Sequence, residues 1–108
     1  MSKYKQGSTV RVIISDLTPD EWALFDTADE IKAECRVATK DGSADVPMNV
    51  SIDRVNKTIE LTRVVDNSMP VGNYLLDIAI TKNGETIFVP PDSYLNFSVI
   101  NAITGVYL

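Results

Sequence analysis

Asn83-Gly84 sits between two runs in which apolar and polar residues take turns, and no other feature restricts the chain as much. Both central residues of a type I′ turn need positive φ, which Asn and Gly tolerate, so this dipeptide between alternating runs predicts a β-hairpin. The leading run, residues 73–81, puts Tyr74, Leu76, Ile78 and Ile80 on one face and Leu75, Asp77, Ala79 and Thr81 on the other. The first set is the expected core face, and the second is expected to be mostly surface. Residues 85–89 are the expected returning strand, and Pro70 with Gly72 marks the turn ahead of the hairpin.

The same period of two recurs along the chain. Residues 9–15 place Val10, Val12 and Ile14 together, with Ile13 opposite. In residues 30–38 the Ala, Glu and Lys content favours a helix, but Ile31, Ala33, Cys35 and Val37 alternate with Lys32, Glu34, Arg36 and Ala38. Alternation of that length predicts a strand, with Cys35 a small buried hydrophobe. Val46, Met48, Val50 and Ile52 mark a further strand, and Pro47 belongs at its start or at an edge. After a turn at 54–57, residues 58–64 return with Ile59 and Leu61 inward, and 94–100 carry Leu95, Phe97 and Val99 on one face. Residues 103–108, ending in Tyr107 and Leu108, are expected to pair with a strand of this chain or of a neighbouring subunit. Residues 1–7 read as a flexible lead-in.

One segment breaks the pattern. Thr18-Pro-Asp-Glu21 has an N-cap residue, a proline at the first helical position and a glutamate placed to close a capping box, predicting a short helical turn over 19–25. Trp22 and Phe25 share one face of it. Two roles are open to them, a plug for the end of the core or an anchor for a partner. Seven to eight short strands at about ten-residue spacing predict an all-β fold, an immunoglobulin-like antiparallel β-sandwich forming a single domain over 1–108. The Cys…Trp…Cys framework of antibody domains is absent.

Composition narrows the function classes. With 108 residues the chain fits one domain. A net charge of −5 argues against nucleic acid, whose affinity comes from clustered Lys and Arg, and Lys3, Lys5 and Arg11 read as a solvated basic entry. There is no His and only one Cys, Cys35, so a Ser-His-Asp triad, a Cys-His pair and an internal disulfide are ruled out, and a zinc site is not expected. Asp16, Asp20, Glu21, Asp26, Asp29 and Glu30 crowd one region without EF-hand spacing, and Gly42, Gly72 and Gly84 are isolated turn glycines. The expectation is no catalytic residues, no metal, no cofactor, no nucleic-acid partner and no membrane span. No apolar leader is visible, which points to synthesis in a reducing cytoplasm.

Three segments resemble those of small bacteriophage virion domains, in particular the N-terminal β-sandwich domain of baseplate upper proteins and tail fibre proteins. They are Asp16-Leu17-Thr18 with Trp22 and the run from Ile31 to Arg36, then Met69-Pro-Val-Gly-Asn-Tyr-Leu-Leu-Asp77, and the closing run from Phe97 to Thr104. The resemblance implies a structural, non-enzymatic virion component made in the bacterial host cytoplasm. It would be a tail, baseplate, fibre-adaptor or decoration protein, forming a homo-oligomer and contacting other virion proteins. Family members carry a fibre or receptor-binding region downstream, whereas this sequence ends at Leu108, so a free-standing role is expected. The alternative is a carbohydrate or host-surface binding module of the same fold. Expected contact residues are Trp22, Phe25, Tyr94, Tyr107 and Leu108, with Trp22, Tyr94 or Tyr107 supplying a stacking platform in the alternative.

Overall fold

The fold is described from a computed structural model covering residues 2–38, 45–66 and 69–103. Its elements run β1 (Ser2–Lys5), β2 (Thr9–Ile14), α1 (Pro19–Asp26), β3 (Glu30–Val37), β4 (Val46–Asp53), β5 (Thr58–Val64), β6 (Gly72–Lys82), β7 (Glu85–Val89) and β8 (Leu95–Ile100). Residues 40–44 of the expected loop, and Tyr107 and Leu108, lie outside the described residues.

The strands do not form the expected two-sheet immunoglobulin-like antiparallel sandwich. They join one mixed sheet in the order β1-β8-β6-β3-β4-β5-β2, with β7 attached to β6. All pairs are antiparallel except β1 with β8, which run parallel. The difference lies in β4. Its residues 46–48 pair with β3 and its residues 49–53 pair with β5. One strand therefore carries the ladder across the molecule, where a sandwich would leave two separate sheets. Pro47 has no N–H to give, and β5 pairs only from Asn49 onward, so the missing donor falls outside the β4–β5 ladder.

At the two ends of this order, β1 and β2 come back together. Residues 6–8 connect them, the Gly7 N–H donates to the Val65 carbonyl at 2.8 Å, and the Tyr4 hydroxyl donates to the Arg11 carbonyl at 2.9 Å. Among the described residues no ladder links β1 to β2, so the sheet nearly closes into a barrel and leaves a seam. Residues 2–5, which the sequence reading assigns to a flexible lead-in, make up β1, with Ser2 opposite Phe97 and Lys5 opposite Ile100. Four residues with Tyr4 as the one large apolar side chain carry too little alternation to be read as a strand.

Register brings the inward sets into layers. Tyr74 faces Val37 on β3 and Phe97 on β8, and Leu76 faces Cys35 and Leu95. The Tyr74 and Phe97 rings stack with centres 5.2 Å apart, and Tyr4 meets Phe97 edge-on at 6.0 Å. The connection after β5 adds Val65 and Met69 to the same core. Arg63 also lies on the inward side of β5, opposite Val10, and its guanidinium reaches Asp66 at 3.3 Å.

α1 covers one end of the barrel. Thr18 Oγ1 accepts from the Glu21 N–H at 3.2 Å, and the Glu21 carboxylate accepts from the Thr18 N–H at 2.8 Å, completing the capping box. Those two bonds, the backbone one foremost, hold the Glu21 carboxyl below its usual range. Trp22 and Phe25 are buried in the core. Around them Asp26 pairs with Arg54 at 3.1 Å, Lys82 donates to the Thr27 hydroxyl at 2.9 Å, and the Asn83 N–H donates to Asp29 at 2.9 Å. The helix is thereby tied to the β4–β5 turn and to the β6–β7 hairpin.

Two buried protons make stability depend on alkaline pH. Burial pushes the Cys35 thiol up from 9.0 to about 11 and the Tyr74 phenol up from 10.0 to about 12. The native state holds both protons more tightly than the unfolded chain, so their contribution is complete below pH 9 and is lost as pH rises through the raised values. The melting temperature is expected to hold up to pH 9 and then fall towards pH 12. Cys35→Ala should remove the lower part of that fall and Tyr74→Phe the upper part. Identical alkaline profiles for all three proteins would contradict this.

Candidate functional site

Asn83 and Gly84 have φ of 53° and 79°, the two positive values that a type I′ turn requires. A Cβ at Gly84 would meet nothing within 4 Å, so Gly84→Ala tests backbone conformation alone. It should cost about 1–2 kcal/mol in chemical denaturation, the left-handed penalty of a residue with a Cβ. A loss near zero would mean that the turn has another conformation in solution.

This turn fixes which backbone groups of β7 are free. A two-residue loop makes Lys82 and Glu85 a hydrogen-bonded pair, and pairs then alternate along the ladder. Ile80–Ile87 and Ile78–Val89 are hydrogen-bonded pairs, whereas Thr81–Thr86 and Ala79–Phe88 are not. The Thr81 and Thr86 hydroxyls are 2.9 Å apart, as side chains of a non-hydrogen-bonded pair should be. Thr86 and Phe88 therefore turn their N–H and C=O groups away from β6. β7 pairs with β6 alone, and β8 takes the other half of that β6 edge, residues 72–76.

The edge is also apolar. Ile87 and Phe88 are 44% and 52% exposed, on opposite faces of the strand. Within β7 only Glu85, at the turn, carries charge. Natural edge strands are usually guarded by an inward charge, a proline, a bulge or a covering segment, and among the described residues β7 has none of these.

Beside β7, on the outer face of the sheet, lies a shallow trough of about 400 Å³, lined by Glu34 and Arg36 of β3, Asp77 of β6, Phe88 of β7, Asp45 and Tyr94. A second hollow shares Asp77, Phe88 and Tyr94 with it and extends over Pro90, Pro91 and Asp92. Glu34 and Asp77 stand directly opposite each other on neighbouring strands. Arg36 is drawn to Asp45 at 2.7 Å, a contact that keeps the guanidinium firmly protonated. The open seam holds a third hollow, between β1, β2 and β8, where Tyr94 recurs beside Tyr4 and Arg11.

The expected contact residues separate in space. Trp22 and Phe25 lie within the core under α1, at 8% and 2% exposed, and present little surface. Tyr94 stands outside, 56% exposed, where the three hollows meet. Phe88 is absent from the expected set. Its signal is an aromatic residue on the wet face of a strand, two places after an outward Thr86. Among the described residues no group of three or more His, Cys, Asp or Glu side chains is placed to hold a metal ion. No helix there is long and apolar enough to cross a membrane. The sequence matches no protein-family model and no curated protein.

Proposed function

We propose that this chain is a structural, non-enzymatic component of a bacteriophage particle, placed in the tail, baseplate, a fibre adaptor or a decoration layer by contacts with copies of itself and with other virion proteins. The phage setting rests on the sequence resemblance. The assembly role rests on one observation, the unguarded β7 edge with its apolar side chains and outward backbone groups. Such an edge is a template for strand addition, in which main-chain hydrogen bonds supply affinity.

Self-pairing fits this edge without adjustment. A two-fold axis through Ile87 sets Thr86 of one copy opposite Phe88 of the other, as a hydrogen-bonded pair, and repeats this on the far side of the axis. The outward donors of each copy then meet the outward acceptors of the other, and the two Ile87 side chains meet at the axis. The carbohydrate-binding alternative draws on exposed Tyr94, while its other described candidate, Trp22, is withdrawn into the core.

Purified particles and the isolated chain test the proposal. Mass spectrometry of particles banded in a density gradient should find the chain at a fixed ratio to other virion proteins, and the isolated chain should sediment as a defined oligomer. Absence from washed particles would end the virion reading. A strictly monomeric chain at high concentration would end the self-pairing geometry.

A further inference from the structure

The trough beside β7 pairs two features that work against folding and solubility. Glu34 and Asp77 are directly opposite on adjacent antiparallel strands, an arrangement that brings Cβ atoms to about 4.5–5.5 Å and sets like charges against each other. Neither carboxylate has an ion pair or a side-chain hydrogen bond among the described residues. Arg36 feels the charge of Asp77 only weakly, and its hydrogen bond goes to Asp45. Around these carboxylates stand two large, half-exposed rings, Phe88 and Tyr94, and Asp92 adds a further acid in the adjoining hollow. With Arg36 and Asp45 cancelling, Glu34, Asp77 and Asp92 leave the surface acidic.

Acidic oxygens between aromatic faces complement one kind of side chain. A guanidinium is planar, stacks on rings and forks two N–H donors onto a carboxylate. An ammonium has the charge without the plane. A neutral sugar would find the rings but would leave the opposed carboxylates uncompensated. We infer that this trough receives an arginine side chain from a basic segment of a partner protein. The rings hold the guanidinium plane while Asp77 and Glu34 accept its hydrogen bonds. This rests on the assembly reading only for the source of the arginine, since the recognition chemistry belongs to the trough.

The test is residue-resolved NMR titration of the intact chain with N-acetyl-argininamide, with N-acetyl-lysinamide and cellotetraose as parallel probes. The arginine probe should shift the amides of Glu34, Asp77, Phe88 and Tyr94 together, and should bind more tightly than the lysine probe. Asp77→Asn should weaken it on the order of tenfold or more, the loss of a charge-assisted hydrogen bond. Phe88→Ala should weaken it about two- to five-fold. Asp77→Asn should also raise the melting temperature by relieving the opposed charges, a combination that a purely structural aspartate would not give. Arginine shifts scattered over the surface and indifferent to Asp77 would overturn the inference. So would local shifts in the trough from cellotetraose with none from arginine. The wild-type chain separates the two readings: its presence in particles without any response to arginine refutes the trough alone, and its absence from particles refutes the virion role.

Discussion

Phe97→Ala is expected to lower the stability of the chain by about 3–5 kcal/mol, the cost of truncating a fully buried aromatic ring and leaving a cavity. Domains of this size have roughly 5–15 kcal/mol in total, so the variant should be partly unfolded near body temperature. The reason for so large an effect is position. Phe97 is 1% exposed and is the ring on which Tyr74 stacks, with planes 4° apart, while Tyr4 closes on its edge. It thus links β6, the strand with three partners, to β1 at the end of the sheet. Aromatic contacts of this kind add about 0.5–1.5 kcal/mol beyond buried area. Tyr74→Phe is the control. It keeps the stack and loses the 2.7 Å hydrogen bond to the Pro70 carbonyl, at a cost of about 1–3 kcal/mol for the acceptor left behind. Urea denaturation measures both, and a loss below about 1 kcal/mol for Phe97→Ala would contradict the core described above.

Thr86→Pro is expected to leave the fold intact and to weaken self-association on the order of a hundredfold. Proline is tolerated on an edge strand where its missing N–H faces away from the ladder, and the hairpin register gives Thr86 that orientation. Each copy loses one outward donor, so a two-fold pair loses two hydrogen bonds of about 0.5–1.5 kcal/mol each, with ring clashes added. Ile87→Lys attacks the same contact through charge, the usual guard of natural edges. Sedimentation equilibrium should show monomers for both variants where wild type associates, with circular dichroism unchanged. Wild-type association in Thr86→Pro would place the contact elsewhere, the open β1–β2 seam being the next candidate.

Much of the secondary structure was legible because its signals are local. The Asn83-Gly84 turn, the Thr18 capping box and the bounds of β4, β5 and β7 all follow from residues within a few positions of one another. The closure of the sheet is different. Alternation states which side chains of a strand share a face, but a barrel and a sandwich both put one face inward, so Val46, Met48, Val50 and Ile52 look the same in either. What decides between them is the change of partner in β4 between Met48 and Asn49, and nothing local marks it. The site was legible in part for the same reason. Tyr94 was an expected contact, and Asp77 was visible on the outward face of the run 73–81. That Glu34 stands opposite Asp77, with Phe88 beside them, depends on the registers of β3 and β7 on β6. A period of two does not contain those registers.

Amide hydrogen exchange read residue by residue over a concentration series tests the proposed assembly through β7 most directly. The amides of Thr86 and Phe88 should exchange quickly in dilute solution and gain protection as the protein associates, while those of Glu85, Ile87 and Val89, already bonded to β6, should change little. Protection at Thr86 and Phe88 that is the same at every concentration, in a protein that does associate, would contradict it.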